Sequence, residues 1–128
     1  MIDVTPRRAE RGSATLETVV LWPAAFLLIF GIVHAGIWFH ARNVALSAAR
    51  EGAHAASMDG GTGGAARAAD FLATTTDGTV MRVGDIHETI GADTVTVIVT
   101  GSSTTLVPGW RVDVRQSATA PIRRWRAP

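Results

Sequence analysis

The chain contains no cysteine, which removes disulfides, thiolate metal sites and cysteine nucleophiles without fixing a redox compartment. It contains no lysine either. All twelve basic residues are arginine, so Schiff-base chemistry, a P-loop lysine and a Ser-x-x-Lys nucleophile pair are excluded. A third absence is local. From Val19 to Phe39 the run VVLWPAAFLLIFGIVHAGIWF holds no Asp, Glu, Lys or Arg. As a helix it measures ~32 Å, enough to span a bilayer. Net charge is close to absent as well. Residues 1–12 hold three of the twelve arginines and two of the eleven acids, leaving nine of each in the remainder. The formal charge of +1 therefore argues for no nucleic-acid partner.

With 128 residues, the chain has room for at most one small domain beside the membrane segment. The 71 residues after Ser57 are a marginal length for an enzyme, and no catalytic residue, cofactor or small-molecule substrate is expected.

What stands just before the apolar run is unusual. Arg11-Gly12-Ser13-Ala14-Thr15-Leu16-Glu17 sets a basic residue and a glycine ahead of a lone carboxylate. An acid at the threshold of a membrane helix costs free energy unless paired, so Glu17 is a candidate functional residue. Arg7, Arg8 and Arg11 precede the run, and the positive-inside rule puts the N-terminus in the cytoplasm and the C-terminal part outside. Arg42 and Arg50 on the far side oppose that orientation. Pro23 removes a backbone donor and clashes with the carbonyl of Val19, which predicts a helix kink that a membrane environment tolerates.

Helical character continues beyond Phe39. Ala41, Ala45, Ala48, Gly52 and Ala55 recur every three or four residues, a stripe of small side chains suited to close helix packing. Two readings fit the stripe: contact with helices of other subunits, or an alanine-rich helix lying on a sheet of its own chain. One helix from Ala14 to Ser57 would be ~66 Å long.

After Ser57 the composition changes. Met58-Asp59-Gly60-Gly61-Thr62-Gly63-Gly64 reads as a linker or turn, since glycine in a helix costs about 0.8–1 kcal/mol relative to alanine. A short helix is predicted from Ala65 to about Ala73, with Ala68, Phe71 and Leu72 turned to a core. Three strands follow from alternation of period two: Ile86, Glu88 and Ile90; Val95, Val97 and Val99; Trp110, Val112 and Val114. Gly91-Ala92-Asp93 and Val107-Pro108-Gly109 are turn signals, the second in the order of a type II turn. Short connections favour an antiparallel meander whose apolar face the long helix would cover.

Other apparent motifs carry little. Gly61-Thr62-Gly63-Gly64-Ala65-Ala66 fits a dinucleotide fingerprint but follows a helix rather than a strand. His34, His40, His54 and His87 lack metal-ligand spacing, and no metal site is expected. Arg123-Arg124-Trp125-Arg126 reads as a solvated end.

The span RGSATLETVVLWPAAFLLIFGIVHAGIWFHARNVALSAAREGAHAAS closely resembles the TadE-like pseudopilins of bacterial tight-adherence (Flp) pilus systems. The resemblance rests on the glycine before a small residue, the glutamate five positions later, the early proline, and Ala-Arg-Glu-Gly at Ala49 to Gly52. It covers a little over a third of the chain. It implies cleavage of the leader between Gly12 and Ser13 by a membrane-embedded prepilin peptidase, with Glu17 as fifth residue of the mature chain. Partners would be the membrane, that peptidase, other pilin or pseudopilin subunits and the assembly machinery. A freed α-amine, with a reference pKa of about 8, needs a counter-charge in a low-dielectric setting, and Glu17 supplies one to its own chain or to a neighbour. Thr18 stands where the major Flp pilins have tyrosine, which points to a minor subunit.

The expected architecture is therefore α+β: a long N-terminal transmembrane helix, then a small domain with a short helix and an antiparallel sheet of about three strands. Its parts are a basic leader at 1–12, a helix at 13–57 with its membrane segment at about 19–39, a Gly-rich linker at 58–64, and an extracytoplasmic domain at 65–128. The expected location is the bacterial cytoplasmic membrane, single-pass, with passage into an extracellular pilus on assembly. Two alternatives stay open: a secreted domain released after Val33-His34-Ala35, and an uncut, anchored binding module.

Overall fold

The computed structural model describes residues 8–124, with side chains from Ala14 onward. Expectations placed on residues 1–7 of the leader and on Trp125 and Arg126 lie outside the described residues. The elements are α1 (Arg8–Met58), α2 (Gly64–Thr75), β1 (Met81–Ile90), β2 (Thr94–Ser103) and β3 (Val112–Pro121). The architecture is α+β. Between His34 and Ala35 the chain divides into two compact units.

The first unit is the N-terminal part of α1. Helix starts as early as Arg8 rather than at Ser13, because Arg-Ala-Glu-Arg are good helix formers. Pro23 lies inside the helix, and residues 14–33 are exposed on every face. Aromatic rings one turn apart meet along it, with Trp22 and Phe26 centroids 5.8 Å apart. A helix apolar all round and unburied by its own chain is built for a non-aqueous surrounding. Its length and composition suffice to cross a membrane.

The second unit contains the rest of α1, α2 and the sheet. Ala41, Ala45, Ala48, Ala49, Ala53 and Ala56 are buried along α1, while Arg50 and His54 on the same helix are exposed. Their partners are Ala68 and Leu72 of α2, Met81 of β1, Val97 and Val99 of β2 and Val114 of β3. The alanine stripe thus packs within the chain. Gly52 faces α2: a Cβ there would overlap the Gly64 carbonyl oxygen and lie 3.1 Å from the Ala68 Cβ. Gly64 in turn leaves space for Val97, whose Cγ2 would sit 2.8 Å from a Cβ at that position. Two glycines therefore let α1, α2 and β2 approach at backbone distance, while Ala55 is only half-buried.

The sheet is an antiparallel meander in the order β1-β2-β3. β2 supplies the core, with Val95, Val97 and Val99 fully buried and the alternate residues turned away. β1 is longer than its alternation suggests, because a register shift between Val83 and Ile86 moves its second half by one face. Thr100 holds the irregularity from β2. Its hydroxyl donates to the Asp85 carbonyl at 2.7 Å, and its oxygen accepts the Asp85 N–H at 3.1 Å. β3 keeps unbroken register with β2 from Val112 to Pro121.

One expectation is corrected at β3. Trp110 does not extend the buried face of Val112 and Val114; it lies in the loop before the strand and is 60% exposed. The cause is the turn itself. Gly109 has φ +85° and the Trp110 N–H donates to the Val107 carbonyl at 3.2 Å, the geometry of a type II turn with Pro108 and Gly109 at its centre. The inner face continues instead through Ala118 and Ala120, which pack against the core.

Between the helices, Gly60, Gly61 and Gly63 all have positive φ, so residues 59–63 form a tight turn and α2 begins at Gly64. The α2–β1 connection is set by Asp77, whose carboxylate accepts the Thr79 hydroxyl at 2.7 Å and the Thr79 N–H at 3.3 Å. These bonds hold its carboxyl below the usual range.

Candidate functional site

No enclosed catalytic constellation emerges from the described residues, and no group of three or more His, Cys, Asp or Glu side chains converges to hold a metal among them. Two surfaces carry unusual chemistry. Each belongs to one unit.

On the first unit the feature is Glu17. The helix brings Glu17 one turn C-terminal of Ser13, on an exposed stretch otherwise made of Leu16, Val19, Val20 and Leu21. Among the described residues it has no hydrogen bond and no ion-pair partner. Beside it the hydroxyl of Thr18 donates to the Ala14 carbonyl at 2.8 Å, which satisfies that polar group within the helix. A shallow apolar groove of about 630 Å³ runs over Ala14, Thr15, Thr18, Val19, Trp22 and Pro23. Pro23, one of its lining residues, has no N–H to donate to the Val19 carbonyl. The Gly12–Ser13 bond falls in the first turns of α1.

On the second unit, Ala49, Arg50, Glu51 and Gly52 have separable tasks. Ala49 is buried in the core, and Gly52 admits α2. Glu51 accepts from both Nε and Nη2 of Arg67 on α2, at 3.1 and 2.9 Å. Both partners are largely exposed, so this bridge aligns the helices more than it stabilises them. Arg50 is exposed. The sequence places Gly52 on the stripe of small residues suited to close packing, and the position of α2 shows what that stripe admits.

A residue missed from sequence is Glu88. Its period-two spacing marks only a member of a strand face, yet its Oε2 accepts the Ala65 N–H at 3.1 Å, at the N-terminus of α2. Gly63, the residue before that helix, offers no side-chain cap. Glu88 fills the role from another element and places a carboxylate at the positive end of the helix dipole. Replacing it with alanine is expected to cost about 1 kcal/mol, measured by thermal unfolding of the detergent-solubilised chain. An unchanged midpoint would show that α2 needs no such cap.

The opposite face of the sheet is polar. Arg82, Asp85, Asp113 and Arg115 border an open depression of about 570 Å³ with Thr100 and Ser102. Thr96 and Thr119 hydrogen-bond across β2 and β3 at 2.8 Å. With Arg111 the lining holds three arginines and two aspartates, a mixed surface with a slight excess of base.

Against known proteins, no curated protein and no solved structure gives a match to the chain. One family model does. It is described as TadE-like protein and covers residues 12–54, about a third of the chain, beginning at the glycine of the leader and ending two residues after Gly52. Glu17, Pro23 and the buried alanines from Ala41 to Ala53 all fall within it. The match makes residues 12–54 similar to the TadE-like family, and the helix that carries them is long and apolar enough to cross a membrane.

Proposed function

We infer that the chain is a non-catalytic minor pilin-like subunit of a tight-adherence pilus or related secretion assembly. It sits in the cytoplasmic membrane through residues 19–39, N-terminus inside, and is cut between Gly12 and Ser13 by a prepilin peptidase. The freed amine of Ser13 and the carboxylate of Glu17 then form an ion pair, within one chain or between staggered neighbours.

The observation that carries this reading is the isolation of Glu17. It is an exposed acid on an apolar helix, without an ionic partner among the described residues, inside the segment that matches the family. Complementing the helix dipole would explain only about 0.3–1 kcal/mol and gives no reason for the glycine and arginines before it.

N-terminal sequencing of membrane-extracted protein from its host, with and without the peptidase, tests the processing step. The expected start is Ser13 in the presence of the peptidase and residue 1 or 2 in its absence. Replacing Gly12 with leucine should give the uncut form in both strains. A start at Gly36 would instead mark release by signal peptidase and overturn the pilin reading.

A further inference from the structure

The loop between β2 and β3 has the composition of a second membrane contact. We propose that residues 106–110 dip into the lipid interface beside the point where α1 leaves the membrane. The proposal rests on the reading of residues 19–39 as the membrane span.

Exposure comes first. Leu106, Val107 and Trp110 are 52%, 49% and 60% exposed, with Pro108 between them. Isolated apolar residues on a surface need no explanation, but a contiguous patch does. Among the described residues of the second unit seven large hydrophobics are exposed, and three of them fall within these five positions.

Position comes second. The β1–β2 turn and the end of β3 lie at the C-terminal end of α1: the Arg123 N–H donates to the Ser57 carbonyl at 3.0 Å, and Gly61 packs against Ile90 and Ile122. From that end β2 runs Thr94 to Ser103, roughly 30 Å at strand rise. Tracing α1 back from Ser57 by the same distance uses about twenty residues and arrives near Trp38. Gly64, which lies against both Gly52 and Val97, ties the two elements about a quarter to a third of the way along this alignment. The buried face of α1 stops at the same level, with Ala41 fully buried and Phe39 already 55% exposed. Phe39 is also the last residue of the charge-free run. The β2–β3 loop and the end of the membrane segment therefore share one level of the second unit, and the exposed Val83 of β1 lies near it.

Chemistry comes third. Tryptophan prefers the headgroup level, where an apolar ring and a polar edge are both satisfied. Arg82 and Arg111 border a depression directly beside the loop and present guanidinium groups suited to lipid phosphate. On α1 the Arg42 guanidinium lies 5.8 Å from the Trp38 ring, a similar cation and indole pair at the same level. The loop also ties up its own backbone: the Thr105 hydroxyl bonds the carbonyls of Val107 and Trp110, and the Trp110 N–H bonds Val107. Fewer bare peptide groups lower the cost of leaving bulk water.

The absence of cysteine makes the test direct. Full-length Val107→Cys, Ala92→Cys and Phe26→Cys, each carrying an environment-sensitive fluorophore, go into vesicles of phosphatidylethanolamine and phosphatidylglycerol that contain nitroxide lipids. Quenching at Val107 by headgroup nitroxides is expected to exceed that at Ala92, at the opposite end of the sheet, by about twofold or more. Leu106→Asp in the Val107→Cys background should bring it down to the Ala92 level. Equal quenching at the two sites, with Phe26 strongly quenched by mid-chain nitroxides, overturns the loop proposal and leaves the membrane span standing. An unquenched Phe26 overturns both. Shielding of Val107 from aqueous iodide without lipid quenching means that protein covers the loop, and it also overturns the proposal.

Discussion

Glu17→Ala chains are expected to be cut after Gly12 at the wild-type rate and yet to be missing from sheared pili. The reason is an asymmetry of position. On the proposed route cleavage is read from the glycine and the basic leader, whereas Glu17 stands at the threshold of the apolar run, where its charge matters once the surroundings are lipid or another helix. Removing one partner of a buried pair costs about 3–5 kcal/mol, because the other charge stays behind unpaired. At 1.4 kcal/mol per factor of ten, that lowers incorporation by roughly a hundredfold or more. Glu17→Gln keeps the shape and loses the charge, so it should fail in the same way. The measurement is immunoblotting of pilus and membrane fractions beside N-terminal sequencing. Wild-type incorporation of either variant would refute the pairing, and loss of cleavage in both would reassign Glu17 to peptidase recognition.

The second large effect is structural. Gly52→Val is expected to unfold the second unit, while Gly36→Val on the same helix leaves it intact. A Cβ at Gly52 would overlap the Gly64 carbonyl, and backbone on both sides leaves nothing flexible to yield. Gly36 has nothing within 4 Å of the same probe. In a close-packed interface, added methyl groups typically cost 1–3 kcal/mol, and forcing two backbones apart costs at least the upper end. That is a large share of the roughly 5 kcal/mol available to a domain this small. Limited proteolysis and thermal unfolding in detergent should show an early loss of β-structure in Gly52→Val alone. A wild-type unfolding midpoint for that variant would mean that α2 can move away from α1 at little cost.

Much of this architecture is legible without coordinates, for identifiable reasons. The apolar run of α1 and the Val95, Val97, Val99 alternation are strong because large side chains carry the period. The rest is hidden where small or polar residues do the packing. Ala118 and Ala120 line the inner face of β3 yet give no hydrophobic signal, so the alternation points to Trp110 instead. In β1 the shift between Val83 and Ile86 breaks the alternation, so the strand's first half, including the fully buried Met81, went unread. For the site, the pattern around Gly12 and Glu17 was visible as sequence, because an acid before an apolar run is conspicuous. The cap from Glu88 and the bridge from Glu51 to Arg67 were not, since each depends on where α2 lies.

The alanine core also sets which parts of such a chain can be recognised at all. Where α1 is fully buried, from Ala41 to Ala56, each side chain is a methyl group or a hydrogen, while the larger Val44 and Trp38 pack only partly buried, so volume restricts the buried positions most. On the strands the requirement is looser: any β-branched side chain serves the inner face, and any polar one serves the outer. Substitutions can therefore accumulate over β1, β2 and β3 while the fold persists, but not along Ala41 to Gly52. The family match ends at residue 54, two residues short of Ala56, the last fully buried alanine of α1. Past Ala56 the tight positions pass to Gly64 and Ala68 of α2, and over the strands a comparison of letters meets looser limits.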